Sequence, residues 1–85
     1  MTYAVVWDHA AKKQVLRLDQ DIRRRILQKV VSLEAMPRPP GALKLEGSVD
    51  VWRIRVGDYR ILYTIEDDKL IVLVVKIGHR REIYR

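Results

Sequence analysis

The sequence predicts an α+β fold: an N-terminal strand and a helical hairpin packed on an antiparallel sheet, in the order β-α-α-β-β-β. Three observations carry that prediction. Apolar residues recur at helical spacing in the first half of the chain, they alternate or run together in the second half, and a proline cluster separates the halves. With 85 residues there is room for one core, so residues 1–85 are read as a single domain.

Tyr3 to Trp7 is short, apolar and β-prone, and reads as a strand. Asp8 can cap a helix from about His9 to Leu18, with Ala11, Val15 and Leu18 on its buried face at i, i+4 and i+7. Asp19 is a second plausible cap. After it, Ile22, Ile26, Val30 and Leu33 form a stripe, widened by Leu27 and Val31, that predicts a helix to about Met36. Asp19 is the one break signal between these segments, so a single bent helix competes with a hairpin; the hairpin is favoured. Pro37-Arg38-Pro39-Pro40-Gly41 ends the helix, because proline cannot donate to the ladder and restricts the residue before it. Residues 37–50 then form a connection long enough to suggest a function.

The remainder reads as sheet. Val51 to Val56 alternates, Gly57-Asp58 supplies a two-residue turn, and Tyr59 to Ile65 alternates again. Glu66 to Lys69 makes the next turn. Leu70 to Ile77 is a predominantly apolar run, as expected of a central strand covered on both faces.

The two-residue turn sets a register that brings chemistry together. Val56 should pair with Tyr59, Arg55 with Arg60, Ile54 with Ile61 and Trp52 with Tyr63. One face is then aromatic and aliphatic, and the other carries Arg53, Arg55 and Arg60. Two guanidinium groups ~6 Å apart repel by roughly 2–3 kcal/mol at an effective dielectric of about 20, before screening. Folding does not require such an arrangement, whereas a guanidinium fork suits a phosphate. An antiparallel last strand would bring His79, Arg80 and Arg81 beside the same face. Tyr84 follows with a stacking ring or a phenolic proton.

Composition agrees. The net charge is +6 and the pI is near 10, which points to a polyanionic partner. The chain has no cysteine and two histidines far apart, so neither a disulfide framework nor a metal site is expected, and no cofactor is implied. The N-terminus lacks a basic leader region and no apolar run approaches a membrane span, so a soluble, cytoplasmic protein is expected. Plainer readings hold elsewhere. Arg23-Arg24-Arg25 with Lys29 reads as a solvated helix face, and its apolar stripe is needed for the core rather than for a membrane. His9, at a helix start, reads as structural or solvent-facing. Lys12, Lys13 and Arg17 can support RNA binding through non-specific phosphate contacts.

The run Trp52-Arg53-Ile54-Arg55-Val56-Gly57-Asp58-Tyr59-Arg60-Ile61-Leu62-Tyr63, followed by Ile77-Gly78-His79-Arg80 and Glu82-Ile83-Tyr84, resembles the RelE/ParE toxin superfamily on its RelE branch. The resemblance spans essentially the whole chain, including the Lys44-Leu45 segment. It implies a toxin of a type II toxin–antitoxin system that cleaves mRNA in the ribosomal A site by metal-independent attack of a 2′-hydroxyl on the adjacent phosphorus. Its implied partners are an antitoxin encoded alongside, RelB-like or other, together with mRNA and small-subunit ribosomal RNA. The implied catalytic positions are Arg53, Arg55, Arg60, His79, Arg80 and Tyr84, with Lys44 and Arg81 joining Lys12, Lys13 and Arg17 in RNA binding.

One departure from the family pattern bears on mechanism. Relatives often carry lysine where Arg53 and Arg55 stand, and a guanidinium is a poor general base. Base work is therefore expected from Tyr84 or His79, with Arg80 near the leaving oxygen. The sequence ends after Tyr84-Arg85, without the C-terminal helix of some relatives, so inhibition is expected to cover or distort the basic site. Two rival readings remain open at this point: a ParE-like inhibitor of DNA gyrase with no catalysis, and a nucleic-acid-binding module with no chemistry.

Overall fold

The computed structural model describes residues 2–84. Its elements are β1 (Ala4–Trp7), α1 (His9–Leu16), α2 (Gln20–Ser32), β2 (Leu43–Lys44), β3 (Val51–Val56), β4 (Tyr59–Glu66) and β5 (Ile71–His79). The strands form one sheet in the order β1-β5-β4-β3-β2. The α+β architecture and the helical hairpin are as the sequence predicts. Two features differ: β1 pairs in parallel with β5, so the sheet is mixed, and the 37–50 connection contributes a two-residue strand, β2. Leu43-Lys44-Leu45 alternates but is too short to announce a strand; β3 makes it one by offering an edge.

The helices are shorter than their apolar periodicity suggests. α1 stops at Leu16, where the Arg17 and Leu18 amides bond back to Gln14 and Val15 in tight turns. α2 stops at Ser32, followed by similar bonds from Leu33 to Val30 and Glu34 to Val31. Asp8 and Asp19 do occupy the N-cap positions in extended backbone, but neither carboxylate makes a capping hydrogen bond. Each can still favour its helix through the dipole.

The core lies between the helices and one face of the sheet. Ala11, Val15, Ile26, Val30 and Leu33 meet Ile54, Val56, Ile61, Tyr63, Val72, Val74 and Ile77. Leu27 and Val31 do not widen the buried stripe; they are exposed on the outer side of α2. β5 is an interior strand, second in the order beside the central β4, and is helix-covered on one face only, since Ile71, Leu73 and Val75 keep partial exposure. Its strand begins at Ile71 rather than Leu70 because Leu70 adopts a left-handed backbone, φ 54°, in the preceding turn.

The long connection is tied down at its start. The Tyr63 hydroxyl, buried in the core, donates to the Pro37 carbonyl at 2.7 Å. Burial pushes the Tyr63 phenol up to about 12. Arg38 grips Asp67 through two hydrogen bonds of 2.8 and 3.1 Å and lies 5.3 Å from the centre of the Trp52 ring, and the Tyr3 hydroxyl donates to the same carboxylate at 2.6 Å. The acidic turn between β4 and β5 thus anchors the connection at the sheet end far from Gly57-Asp58.

Candidate nucleic-acid interface

All four hairpin pairs follow the predicted register, with Arg55 opposite Arg60 and Arg53 opposite Leu62. The turn that enforces it needs Gly57, whose φ is +58°. Because the helices cover the face of Ile54 and Val56, the arginines fall on the face without helices. β5 extends this face: Gly78 lies opposite Arg60, and Lys76 opposite Leu62.

Arg60 is the centre of the cluster. Its guanidinium donates to the carbonyls of Gly57 and Tyr59 at 3.1 and 3.0 Å, which bends it back over the turn. Burial holds its pKa below the ordinary guanidinium value; the charges of Arg55, Arg53 and Arg80 add to that, and Tyr84 opposes it. These same neighbours define the site. Arg53 has its Nε shielded from solvent with no hydrogen-bond partner among the described residues. Such an atom is costly to leave unpaired, and a ligand oxygen would complete it. Among the described residues, Arg53, Arg55 and Arg60 make no ion pair with a carboxylate. Arg80 has a loose one, 3.8 Å to Asp58, with both side chains more than half exposed.

The C-terminal turn brings Tyr84 to this face. Arg80 is held by its amide bonding to the Asp58 carbonyl, and the amides of Glu82 and Ile83 bond to the His79 carbonyl. Ile83 is buried although it lies outside the main core; it packs over Gly78, where an added Cβ would come within 3.3 Å of its Cδ1. Absence of a side chain at Gly78 therefore makes the seat for Ile83, and Tyr84 emerges beside it, exposed. Arg85 lies outside the described residues.

Several predicted residues stand elsewhere. His79 is opposite Tyr59 and shares its face, packing edge-on at 5.5 Å between ring centres. Its Nδ1 accepts the Arg81 amide at 3.2 Å, so the ring fastens the turn rather than joining the arginines. Lys44 lies opposite Trp52, hence on the other face from Arg53, and pairs with Asp50 at 3.4 Å. Register alternation gives the Arg53 side of β2 to Leu43, so Lys44 stands apart from the arginine cluster. Lys12 and Lys13 are exposed on α1 and Arg17 just past its end, in the helix layer and apart from the cluster. Arg81 is exposed on the C-terminal turn. Lys76 was not singled out from sequence. A lone charge within the apolar β5 run was the available signal, and counting back from the His79–Tyr59 pair would have assigned its face. No group of three or more His, Asp or Glu side chains suited to a metal gathers among the described residues.

Comparison with known proteins gives concordant results. Residues 5–84 match the family model described as ParE toxin of type II toxin-antitoxin system, parDE. The mRNA interferase toxin RelE of Escherichia coli K12 is 32% identical over 88 residues, covering 99% of this chain and 92% of that protein. The RelE–RelB complex from Pyrococcus horikoshii superposes with a TM-score of 0.84 at 31% identity, covering 96% of this chain and 99% of that one. The intact E. coli RelBE toxin–antitoxin complex gives 0.80 at 29% identity, covering 91% and 95%.

Proposed function

This chain belongs to the RelE/ParE superfamily of type II toxins, and from that membership we propose that it is a ribosome-dependent mRNA interferase of the RelE type. The observation that carries the reading is the gathering of Arg53, Arg55, Arg60 and Arg80 with Tyr84 on the uncovered sheet face, three of the arginines without a carboxylate partner among the described residues.

The chemistry is transesterification without a metal. The 2′-oxygen attacks phosphorus and forms a P–O2′ bond, the P–O5′ bond breaks, and the products are a 2′,3′-cyclic phosphate and a 5′-hydroxyl. The 2′-hydroxyl proton passes to a base and the departing 5′-oxygen gains one. Arg53, Arg55 and Arg60 stabilise the charge that builds on the non-bridging oxygens, as preorganised cations do in a partly desolvated site. Arg80, at the rim, suits the leaving oxygen. Tyr84 is the base candidate supported by position, since His79 faces the other way and spends Nδ1 on the chain. An antitoxin encoded alongside, RelB-like in the relatives' complexes, would hold the toxin inactive by covering this face.

The test is primer extension on an mRNA being translated, in the cytoplasm or in a reconstituted system. Cuts should appear at codon-positioned sites after induction of the wild type, and Arg55→Ala or Arg80→Ala should lower their rate by about 100-fold or more. The family model's own name favours a second reading, a ParE-type inhibitor of DNA gyrase. Loss of supercoiling activity with intact mRNA would select it.

A further inference from the structure

We propose that the hollow between α2 and the open edge of β3 is a second phosphate-binding site, which receives the RNA backbone as it leaves the arginine face. The inference rests on reading the chain as an RNA-binding toxin, and extends it to residues outside the cluster around Arg60. β2 pairs with Trp52 and Arg53, so among the described residues β3 from Ile54 to the turn has no strand beside it on that side. Two adjoining hollows lie along this edge, of about 430 and 310 Å³. Lys29 and Arg55 line both, Arg25 completes the first and Arg53 the second.

The cations come from separate elements. Arg25 and Lys29 stand four residues apart on α2 and therefore project from one side of it. The Arg25 guanidinium lies over Gly57, its nitrogens 3.6 Å from where a Cβ would be. Among the described residues, Arg25, Lys29, Arg53 and Arg55 make no ion pair, and no carboxylate lines either hollow. Arg24, on the same helix, is by contrast paired with Asp21. Four cations of one sign are unfavourable for the folded chain and favourable for a polyanion. Gln28 and Ser32 add amide and hydroxyl groups to the first hollow, a lining suited to phosphate and ribose oxygens. A strand of an acidic protein is the other polyanion that fits an open edge, but it would want apolar seats for alternate side chains. Continuity through Arg53 and Arg55 favours a nucleic-acid backbone, with successive phosphates in the hollow and at the cluster.

The experiment is fluorescence anisotropy of the full chain with a labelled single-stranded RNA between 50 and 200 mM salt. The Arg25→Gln/Lys29→Gln double variant should bind about tenfold more weakly, with its salt slope reduced by about 1.4, or about 0.7 for each lost phosphate contact. Arg23→Gln changes charge on another side of the helix and should leave the slope as in the wild type; circular dichroism verifies the fold of each variant. The proposal is overturned if the double variant keeps the wild-type slope, if Arg23→Gln lowers it equally, if the wild type binds no RNA, or if the double variant loses affinity for an acidic peptide and not for RNA. The predicted binding pattern without mRNA cleavage by the wild type would remove the nuclease reading and leave the second site standing.

Discussion

Tyr84 and His79 are near neighbours in the chain, yet the first lies with Arg60 and the second packs on Tyr59 across the sheet. If Tyr84 moves the 2′-hydroxyl proton, Tyr84→Phe should slow cleavage by about 100-fold or more, and His79→Ala should cost less. Full activity in both variants would defeat either assignment, and the reverse order would return the role to His79. Arg53 makes a complementary case. Its unpartnered Nε costs stability in the free protein, so Arg53→Met should raise the unfolding free energy by about 1 kcal/mol while weakening RNA binding, measurable by urea denaturation beside anisotropy. Tyr63→Phe should do the opposite at the core. It leaves the Pro37 carbonyl unpaired and should cost about 1–2 kcal/mol, with a melting temperature lower by roughly 5–10 °C.

At the level of elements, the long connection and the C-terminal turn are both held by contacts remote in sequence. Arg38, then Tyr3, hold the Asp67 carboxyl down to about 2 from an ordinary 3.8. A depressed carboxylate contributes stability that is present above pH 4 and lost as pH falls through the folded value near 2. Thermal melts should therefore separate wild type from Asp67→Asn near neutral pH and bring them together at about pH 2; a constant difference would remove the carboxylate from that role. The C-terminal turn depends on Gly78. Gly78→Val should displace Ile83 and with it Tyr84, so that cleavage falls far more than the melting temperature does. Neither dependence could be read beforehand, because Arg38 and Asp67 are 29 residues apart and a glycine in a strand does not announce what fills its place.

For the whole molecule, the location of charge counts for more than its sum. The basic cluster sits at the Gly57-Asp58 end of the sheet, and the acidic turn Glu66-Asp67-Asp68 at the other. Asp68→Asn and Arg55→Gln each change the net charge of +6 by one unit, in opposite directions. The salt slope for single-stranded RNA should shift by about 0.7 with Arg55→Gln and stay constant with Asp68→Asn. Equal and opposite shifts would mean that the chain binds RNA as a diffuse polycation.

The amino-acid order alone determined the helical hairpin, the β-hairpin register and the gathering of Arg53, Arg55 and Arg60. Each of these depends on short-range rules: helical spacing, strand alternation, and a two-residue turn that leaves one way to pair. Tertiary structure alone decided the parallel seat of β1, the recruitment of Leu43–Lys44 as an edge strand, the side taken by His79, and the approach of Arg25 and Lys29 to β3. Those outcomes turn on which surfaces meet once the core has closed, and such meetings leave no period in a sequence.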